Sequence, residues 1–199
     1  MEPSFSEILY EMGAIQFGAF KLKSGAHSPV YIDLRRMVSD PHTLMQVAGE
    51  MMMRSVNLTY QRIAGIPTAG LPLGTALSIT IERPLIYPRM EAKGYGTGQR
   101  IEGLYREGEA ALVVDDVISL ADSKLEAIAV LEAAGLVVKD VMVVVDRQMG
   151  GVAMLAEKGY TLHALYTLTD LLDGLVAAEL INPARREEVL DWLEEQHHG

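Results

Sequence analysis

The sequence predicts an α/β protein whose sheet is mostly parallel and flanked by helices. Short apolar runs alternate along the chain with segments whose apolar residues recur at helical spacing. Three of these runs, at 62–66, 111–114 and 138–145, lead into a short polar or glycine-containing loop and then a helix, which is the order found in parallel sheets. The clearest case is "ALVVDDVISLADSKLEAI", residues 111–128, which reads as a strand, a loop and a helix.

The first half of the chain contains three predicted helices and two predicted strands. Residues 7–15 and 41–53 have helical spacing, and the second of these helices has Asp40 as a plausible N-cap and Pro41 at its first position. An apolar run at 62–66 predicts a strand, and "LPLGTALSIT", residues 71–80, predicts a helix. Residues 84–87 form another short strand, and the polar, glycine-rich stretch 88–103 predicts a long loop.

The second half continues the same alternation. Strand 111–114 precedes helix 123–134, in which Leu125, Ile128 and Leu131 have helical spacing. Strand 138–145, the turn "DRQMGG" at 146–151, helix 152–158 and strand 161–165 follow, and an amphipathic helix covers 183–195. We expect a single domain over residues 1–199.

The composition argues against several classes of protein. A formal net charge of −10 opposes general affinity for nucleic acid. No run of 18 uncharged apolar residues predicts a membrane span, and residues 1–16 do not resemble a signal peptide. The chain has no cysteine, which excludes disulfides and thiolate chemistry and fits a reducing compartment. We therefore expect a cytoplasmic protein that binds neither nucleic acid nor membranes.

Ligands of a parallel sheet bind beyond the carboxyl ends of its strands. Four segments follow predicted strands directly: "PTAG" at 67–70, the loop 88–103, "DDVISLADS" at 115–123, and "DRQMGG". Asp115 and Asp116 can accept hydrogen bonds from the vicinal hydroxyls of a sugar or hold a hydrated Mg²⁺. The following helix N-terminus favours an anion, and Ser119 and Ser123 can add hydroxyl donors. The alternative is two exposed acids and a helix cap.

Five segments, in order along the chain, resemble the type I phosphoribosyltransferases, and specifically the orotate phosphoribosyltransferase family. "ALVVDDVIS" resembles their phosphoribosyl-diphosphate signature, and "AGIPTAGLPL" at 64–73 resembles their diphosphate-binding loop. "FKLKSGAHSPVYIDLR" at 20–35 resembles the orotate-binding segment. "PRMEAKGYGTGQRIEG" at 88–103 resembles the mobile catalytic loop, and "DRQMGG" resembles the Asp-Arg turn.

The resemblance implies a glycosyltransferase of pyrimidine biosynthesis. Such an enzyme transfers phosphoribosyl from 5-phosphoribosyl-1-diphosphate to orotate, giving orotidine monophosphate and diphosphate, with Mg²⁺. It implies that Mg²⁺ binds mainly through the substrate diphosphate, with water-mediated contact to Asp115 as one option. It also implies a homodimer with shared active sites, because the mobile loop closes over the neighbouring subunit, and a small N-terminal hood to which about residues 1–36 contribute.

The resemblance also implies roles for individual residues. The cations on the mobile loop would face the leaving diphosphate, and the acid pair would bind the ribose. Purely structural alternatives remain for three positions: Lys23 as a surface lysine, Tyr31 as a core aromatic, and Arg147 as the partner of Asp146. The catalytic candidates are Arg89, Lys93, Asp115 and Asp116, and the substrate-binding candidates are Lys23, Tyr31, Thr68, Ala69, Tyr95, Ser119, Leu120, Ala121, Asp122, Ser123 and Arg147.

The segment that corresponds to the family's phosphate loop is residues 119–123, which read Ser-Leu-Ala-Asp-Ser. This phosphate loop departs from the family pattern, which usually reads Thr-Thr-Gly-Gly-Ser. Ala121 resists the positive φ that glycine allows. Asp122 places a negative charge where the 5′-phosphate is expected, at a cost on the order of 1 kcal/mol for charges about 4 Å apart in water. Met90 also stands where a lysine is usual. Three hypotheses therefore stay open: a working orotate enzyme, a divergent regulatory homologue that binds a nucleotide or base, and a phosphoribosyltransferase for another base.

Overall fold

A computed structural model describes residues 3–21, 27–90 and 100–198 and shows a small hairpin beside a six-stranded sheet. The hairpin consists of β1 (Ile15–Lys21) and β2 (His27–Ile32), which pair antiparallel. The sheet consists of β3 (Arg62–Gly65), β4 (Leu85–Pro88), β5 (Ile101–Glu102), β6 (Ala110–Ile118), β7 (Val137–Asp146) and β8 (Thr161–Thr167).

The strand order in the sheet is β5-β4-β3-β6-β7-β8. All neighbouring strands pair parallel except β4 and β5, which pair antiparallel. The expected α/β class with a mostly parallel sheet is therefore confirmed. The helices are α1 (Phe5–Glu11), α2 (Pro41–Ser55), α3 (Gly70–Ile81), α4 (Asp122–Ala133), α5 (Gly151–Glu157), α6 (Leu168–Ala177) and α7 (Pro183–His198), with a 3₁₀ helix at Leu34–Ser39.

The core lies on both faces of the sheet. Along β6 the side chains alternate between two apolar clusters, because successive residues of a strand point to opposite faces. Leu112 and Val114 belong to the cluster shared with α1, α2, α3, α6 and α7, whereas Ala111 and Val113 belong to the cluster shared with α4 and α5. This burial on both faces explains why β6 reads as a continuous apolar run.

Two predicted element boundaries need correction. The predicted helix 7–15 ends at Glu11, because Gly13 adopts a φ of +70° and the chain turns into β1 at Ile15. The predicted strand 111–114 continues to Ile118, so the two acids lie within β6 and not after it. The start of α2 is confirmed, since the Asp40 side chain accepts a hydrogen bond from the His42 N–H.

The stretch 88–103 is not entirely a loop. Pro88 pairs with Ile101 and Tyr87 with Glu102, so β4 and β5 form the two sides of its base. The Arg89 N–H donates to the Arg100 carbonyl over 2.7 Å and extends this pairing. Residues 91–99, which contain the glycines of the predicted mobile loop, lie outside the described residues.

The hairpin is held against the C-terminal helix. The Trp192 indole N–H donates to the His27 carbonyl over 2.8 Å, and the Trp192 side chain is largely buried. The first residue of β2 is thereby tied to α7. Among the described residues, no helix has the length and apolarity needed to cross a lipid bilayer.

The Trp192→Phe substitution is expected to lower the free energy of unfolding by about 1 kcal/mol, because the part-buried hydrogen bond to the His27 carbonyl is lost while the ring packing is mostly kept. Chemical denaturation followed by circular dichroism measures this, since Trp192 is the only tryptophan of the chain. Equal stability of the two proteins would show that water replaces the indole at no cost.

Candidate active site

Three loops meet at the carboxyl ends of β3, β6 and β7. The loop after β3 crosses β6, where the Ile66 N–H donates to the Val114 carbonyl over 2.9 Å. The loop after β7 joins the loop after β6, because the Arg147 N–H donates to the Ile118 carbonyl and the Gly151 N–H to the Ser119 carbonyl. Gly70 also packs against Asp115, since a Cβ on Gly70 would lie 3.1 Å from the Asp115 Cα. Three of the four segments selected from the sequence are thus in direct contact.

The acid pair lies buried at the centre of this site. Asp115 is 6% exposed and Asp116 is 9% exposed. Asp115 Oδ1 accepts a hydrogen bond from the Asp116 N–H at 2.9 Å, and Asp116 Oδ1 accepts one from the Val117 N–H at 2.8 Å. Burial, together with the neighbouring charge of Asp115, raises the pKa of Asp116 to about 7. The alternative of two exposed acids is therefore wrong.

A buried lysine, which the sequence analysis missed, contacts the acid pair. Lys124 Nζ lies 2.7 Å from Asp115 Oδ2 and donates to the Val117 carbonyl over 2.6 Å. The sequence carries a signal for this lysine. Ala127, Ile128 and Leu131 lie three, four and seven positions after Lys124, which places them on the same face of the helix, and all three are buried. A lysine on the apolar face of a helix needs a buried acceptor.

The phosphate loop has ordinary backbone geometry at the position that lacks glycine. Ala121 has a φ of −93° and is fully buried, so no positive φ is required there, and the expected conformational conflict does not arise. The first backbone hydrogen bond into α4 runs from the Leu125 N–H to the Ala121 carbonyl. The preceding N–H groups have no acceptor within the helix and are available to an anion.

The side chains of this loop separate into buried and exposed ones. Leu120 is 51% exposed, and Asp122 and Ser123 are exposed in the first turn of α4. Asp122 is the first residue of the helix; the N-cap is Ala121, which has no side-chain capping bond. The Asp122 carboxylate interacts favourably with the helix dipole but occupies the end of the helix where an anionic ligand is expected.

Arg147 points toward the phosphate loop and not toward Asp146. Its Nη1 donates to Ser119 Oγ over 3.2 Å, while Asp146 accepts a hydrogen bond from the Gln148 N–H. Arg147 Nε and Nη2 are buried, and among residues 3–21, 27–90 and 100–198 neither has a hydrogen-bond partner. Burial lowers the pKa of this guanidinium. A guanidinium with unsatisfied donors beside a phosphate loop is suited to an anionic ligand.

The hairpin supplies a second group of aromatic and charged side chains. Tyr31 is half-buried and stacks on Phe20 with ring centroids 5.4 Å apart, so both the core and the binding interpretations fit its position. Arg35 donates to Asp33 and to the Tyr31 hydroxyl. The hydrogen bond to Asp33 is the main cause that raises the pKa of Arg35, and the charge of Asp116 contributes. Arg35, in the 3₁₀ helix that follows the hairpin, therefore lies within electrostatic reach of the acid pair.

The remaining candidates differ in how the structure places them. Thr68 and Ala69 precede α3, and the Pro67–Thr68 peptide bond is cis. Arg89 Nη1 lies 3.0 Å from Glu102 Oε1 across the base of the 88–103 stretch. Lys23, Lys93 and Tyr95 fall outside the described residues, so their predicted roles stay predictions.

Known proteins are similar to this chain in sequence and in fold. No family model matches the chain. The chain is 39% identical over 194 residues to the orotate phosphoribosyltransferase of Caenorhabditis elegans, covering 96% of this chain and 86% of that protein. Two solved structures are similar: UMP synthase of Leishmania donovani, with a TM-score of 0.88 at 39% identity, and orotate phosphoribosyltransferase of Aeropyrum pernix, with 0.79 at 33%.

These alignments are extensive for two of the three proteins. The Aeropyrum match covers 86% of this chain and 98% of that one, whereas the Leishmania match covers 96% of this chain and 41% of the longer synthase. Shared sequence over most of both chains, together with the loops that meet around a buried acid pair, leads to one assignment. The chain belongs to the orotate phosphoribosyltransferase family.

Proposed function

We propose that the protein transfers the phosphoribosyl group of 5-phosphoribosyl-1-diphosphate to orotate, giving orotidine monophosphate and diphosphate. In this reaction the bond from C1 of the ribose to the diphosphate breaks, and a bond from C1 to a ring nitrogen of orotate forms. The observation that carries the proposal is the buried acid pair, which lies between the loop 67–70 after β3 and the start of α4. These three elements match the ribose, diphosphate and 5′-phosphate of one substrate.

The ribosyl centre becomes positively charged as diphosphate leaves, so the site has to stabilise charge and exclude water. We propose that the acid pair as a unit serves the ribose hydroxyls and that the N–H groups at the start of α4 bind the 5′-phosphate. Thr68 and Ala69 would bind the diphosphate through the backbone. Arg89 and Lys93 would counter its charge as it leaves, which requires Arg89 to leave Glu102. Lys23, Tyr31 and Arg147 would form the orotate site.

Mg²⁺ is part of the proposal as a companion of the substrate. Among residues 3–21, 27–90 and 100–198, no three histidine, aspartate or glutamate side chains are grouped so that they could hold a metal ion. Diphosphate oxygens and water are ligands that Mg²⁺ prefers, and the ion would neutralise charge on the leaving group. A cytoplasmic location is proposed with the function and follows from the pathway, not from any feature of the fold.

The proposal is tested by incubating the protein with orotate, phosphoribosyl diphosphate and Mg²⁺ and measuring orotidine monophosphate by chromatography. Formation of the nucleotide at a rate that scales with protein concentration is expected. Parallel reactions with uracil, hypoxanthine and adenine test the choice of base. Product with one of these bases and none with orotate would favour another phosphoribosyltransferase, and binding without any product would favour a regulatory homologue.

The Asp122→Asn substitution is expected to tighten the binding of orotidine monophosphate about three- to tenfold, because one negative charge beside the 5′-phosphate is removed. Orotidine, which has no phosphate, should bind both proteins equally, and the gain should shrink at high salt. Calorimetry measures both ligands. Glu126→Gln, at an exposed position of the same helix, is the matched control. An equal gain for orotidine would contradict the assigned phosphate position.

We also propose that the protein is a homodimer that packs through a groove between α2 and α3. This groove has a volume of about 810 Å³ and is lined mainly by apolar side chains, among them Leu44, Met45, Leu71 and Ile79. Met45 is 71% and Ile79 is 74% exposed, and contiguous exposed apolar surface of this kind marks an interface. Thr68 also lines the groove, so a second copy docked there would adjoin the diphosphate loop.

Sedimentation of the parent protein and of Ile79→Glu at micromolar concentration tests the dimer. We expect a dimer for the parent and a monomer for the variant, because a charge buried in an apolar interface is costly. Glu126→Gln, on a different face of the fold, should remain a dimer. A parent protein that sediments only as a monomer would refute the proposal.

A further inference from the structure

Lys124 has no role in the reaction as outlined above, yet it lies at its centre. Its side chain is buried, and its ammonium contacts two acceptors of β6: Asp115 Oδ2 at 2.7 Å and the Val117 carbonyl at 2.6 Å. Burying an ammonium is costly unless it is both paired and hydrogen-bonded, and here it is both. The lysine is therefore held in one place, directly behind the acid pair.

This contact makes the two acids unequal. Both oxygens of Asp115 are engaged by the protein, Oδ2 by Lys124 and Oδ1 by the Asp116 N–H. Asp116 Oδ1 accepts a hydrogen bond from the Val117 N–H, and within the described part of the chain no cation or N–H group contacts its Oδ2. The carboxyl groups of Asp115 and Asp116 also contact each other. Of the four carboxylate oxygens, Asp116 Oδ2 is thus the one that no cation or N–H group of the described residues engages.

We propose that Lys124 is a positioning residue that assigns different roles to the two acids: it fixes Asp115 as part of the framework and leaves Asp116 to bind the ribose hydroxyls. The inference rests on the proposed function, because it takes the ribose of phosphoribosyl diphosphate as the ligand of the pair. It also accounts for the charge at the site. The substrate is strongly anionic, and two uncompensated carboxylates would repel it, whereas a buried ammonium cancels one of them.

A purely structural ion pair would contact the same atoms, so the test must distinguish positioning from stability. Diphosphate alone provides the contrast, because it occupies the neighbouring loop and has no ribose. Loss of positioning should weaken binding of phosphoribosyl diphosphate and spare diphosphate, and it should raise the KM for phosphoribosyl diphosphate and not the KM for orotate. A general loosening of the fold would affect both ligands and both substrates.

The variants are Lys124→Met, the double variant Lys124→Met with Asp115→Asn, and the double variant Lys124→Met with Asp116→Asn. Methionine keeps an unbranched chain of similar length without the charge. Lys139→Met, at an exposed position of β7, controls for the loss of one positive charge. Calorimetry with Mg²⁺ measures the affinity of each protein for phosphoribosyl diphosphate and for diphosphate, and steady-state kinetics give the two KM values.

We expect Lys124→Met to bind phosphoribosyl diphosphate about tenfold or more weakly, because Asp115 is then a free, unpaired carboxylate beside the ligand. The double variant with Asp115→Asn should recover to within about threefold of the parent, since neither charge remains to be balanced. The double variant with Asp116→Asn should not recover. Diphosphate affinity should stay within about twofold throughout.

Three results would overturn the inference. Parent-like binding by Lys124→Met would show that the lysine does not position the pair. Equal loss in Lys124→Met and in its double variant with Asp115→Asn would show that the lysine acts on the substrate directly. Loss of diphosphate binding in parallel would show a structural role. If Lys124→Met does not fold, the double variant with Asp115→Asn is used by itself, because it leaves no unpaired charge in the site. Weak binding of phosphoribosyl diphosphate by this double variant would then overturn the inference.

Failure of the proposed function is seen separately. A parent protein that binds phosphoribosyl diphosphate but does not transfer its ribosyl group to orotate refutes that function, while the comparison of affinities among the variants still tests the role of Lys124. A parent protein that binds no phosphoribosyl diphosphate overturns both.

Discussion

Replacing Asp116 with asparagine is expected to stabilise the ligand-free protein and to weaken its binding of phosphoribosyl diphosphate. The pKa of Asp116 is raised from 3.8 to about 7, chiefly by burial and secondly by Asp115. In the unfolded chain the carboxyl loses its proton near pH 4, so between about pH 4 and pH 7 the folded protein binds more protons. Stability therefore falls as the pH rises through this window, and asparagine abolishes the penalty.

The difference in the free energy of unfolding should be small below pH 4, grow up to pH 7, and reach on the order of 2–4 kcal/mol above it. Urea denaturation of parent and variant at pH 4, 6 and 8 measures it, with Asp191→Asn, an exposed position on α7, as control. Affinity for phosphoribosyl diphosphate should fall about ten- to a hundredfold, as for a lost hydrogen bond to a charged group. A variant that is destabilised at pH 8 would contradict this account of the pKa.

A stability gain paired with a binding loss would identify Asp116 as a group kept at a cost in stability for the sake of the ligand. Lys124 contacts Asp115 directly, and its charge favours ionised Asp116 less than burial and the like-charged neighbour disfavour it, so the pKa of Asp116 stays raised. A ribose hydroxyl would supply a donor to Asp116 Oδ2, whereas Oδ1 already accepts from the Val117 N–H. Active sites commonly retain such unfavourable groups, so the direction of the change is informative apart from its size.

Local patterns were sufficient for most of the fold. The Asp40-Pro41 pair located the start of α2, and the alternation of strands and helices predicted the parallel sheet. Helix α6 had no prediction, although Thr167 and Asp170 form a capping box and Leu168, Leu171, Leu172 and Leu175 recur at helical spacing. The hairpin was also missed, because a register shift between Phe17 and Phe20 breaks the alternation that identifies a strand.

The site was less predictable, because its chemistry depends on contacts between distant segments. Comparison with the usual glycine loop suggested a backbone conflict at Ala121, but that residue lies in the right-handed region and contributes its methyl group to the core. The pairing of Lys124 with Asp115 joins a helix to the preceding strand, and no spacing rule applied to either element alone reveals it. The position of Arg147 beside Ser119 likewise requires the neighbouring strands to be placed.

Among substitutions that add one methyl group to the site, Gly70→Ala is expected to lower the free energy of unfolding the most. A Cβ at this position would lie 2.4 Å from the Val114 carbonyl oxygen and 3.1 Å from the Asp115 Cα. Both neighbours are backbone atoms of the central strand, so the loop would have to lift away from β6. We expect a loss of about 3 kcal/mol in the free energy of unfolding.

The same displacement would separate the proposed diphosphate loop from the acid pair, since Asp115 Oδ1 is only 3.2 Å from the added carbon. Affinity for phosphoribosyl diphosphate should fall more than about tenfold, because the substrate must span both elements at once. Gly49→Ala is the matched control: this glycine lies within α2 with no atom near the added carbon, so alanine should raise stability by about 0.5–1 kcal/mol. If close backbone approach is the reason for Gly70, denaturation should show stability changes of opposite sign in the two variants. Calorimetry should show weaker binding of phosphoribosyl diphosphate in Gly70→Ala only. A stable Gly70→Ala protein with parent-like affinity would show that the loop can leave β6 without disturbing the site.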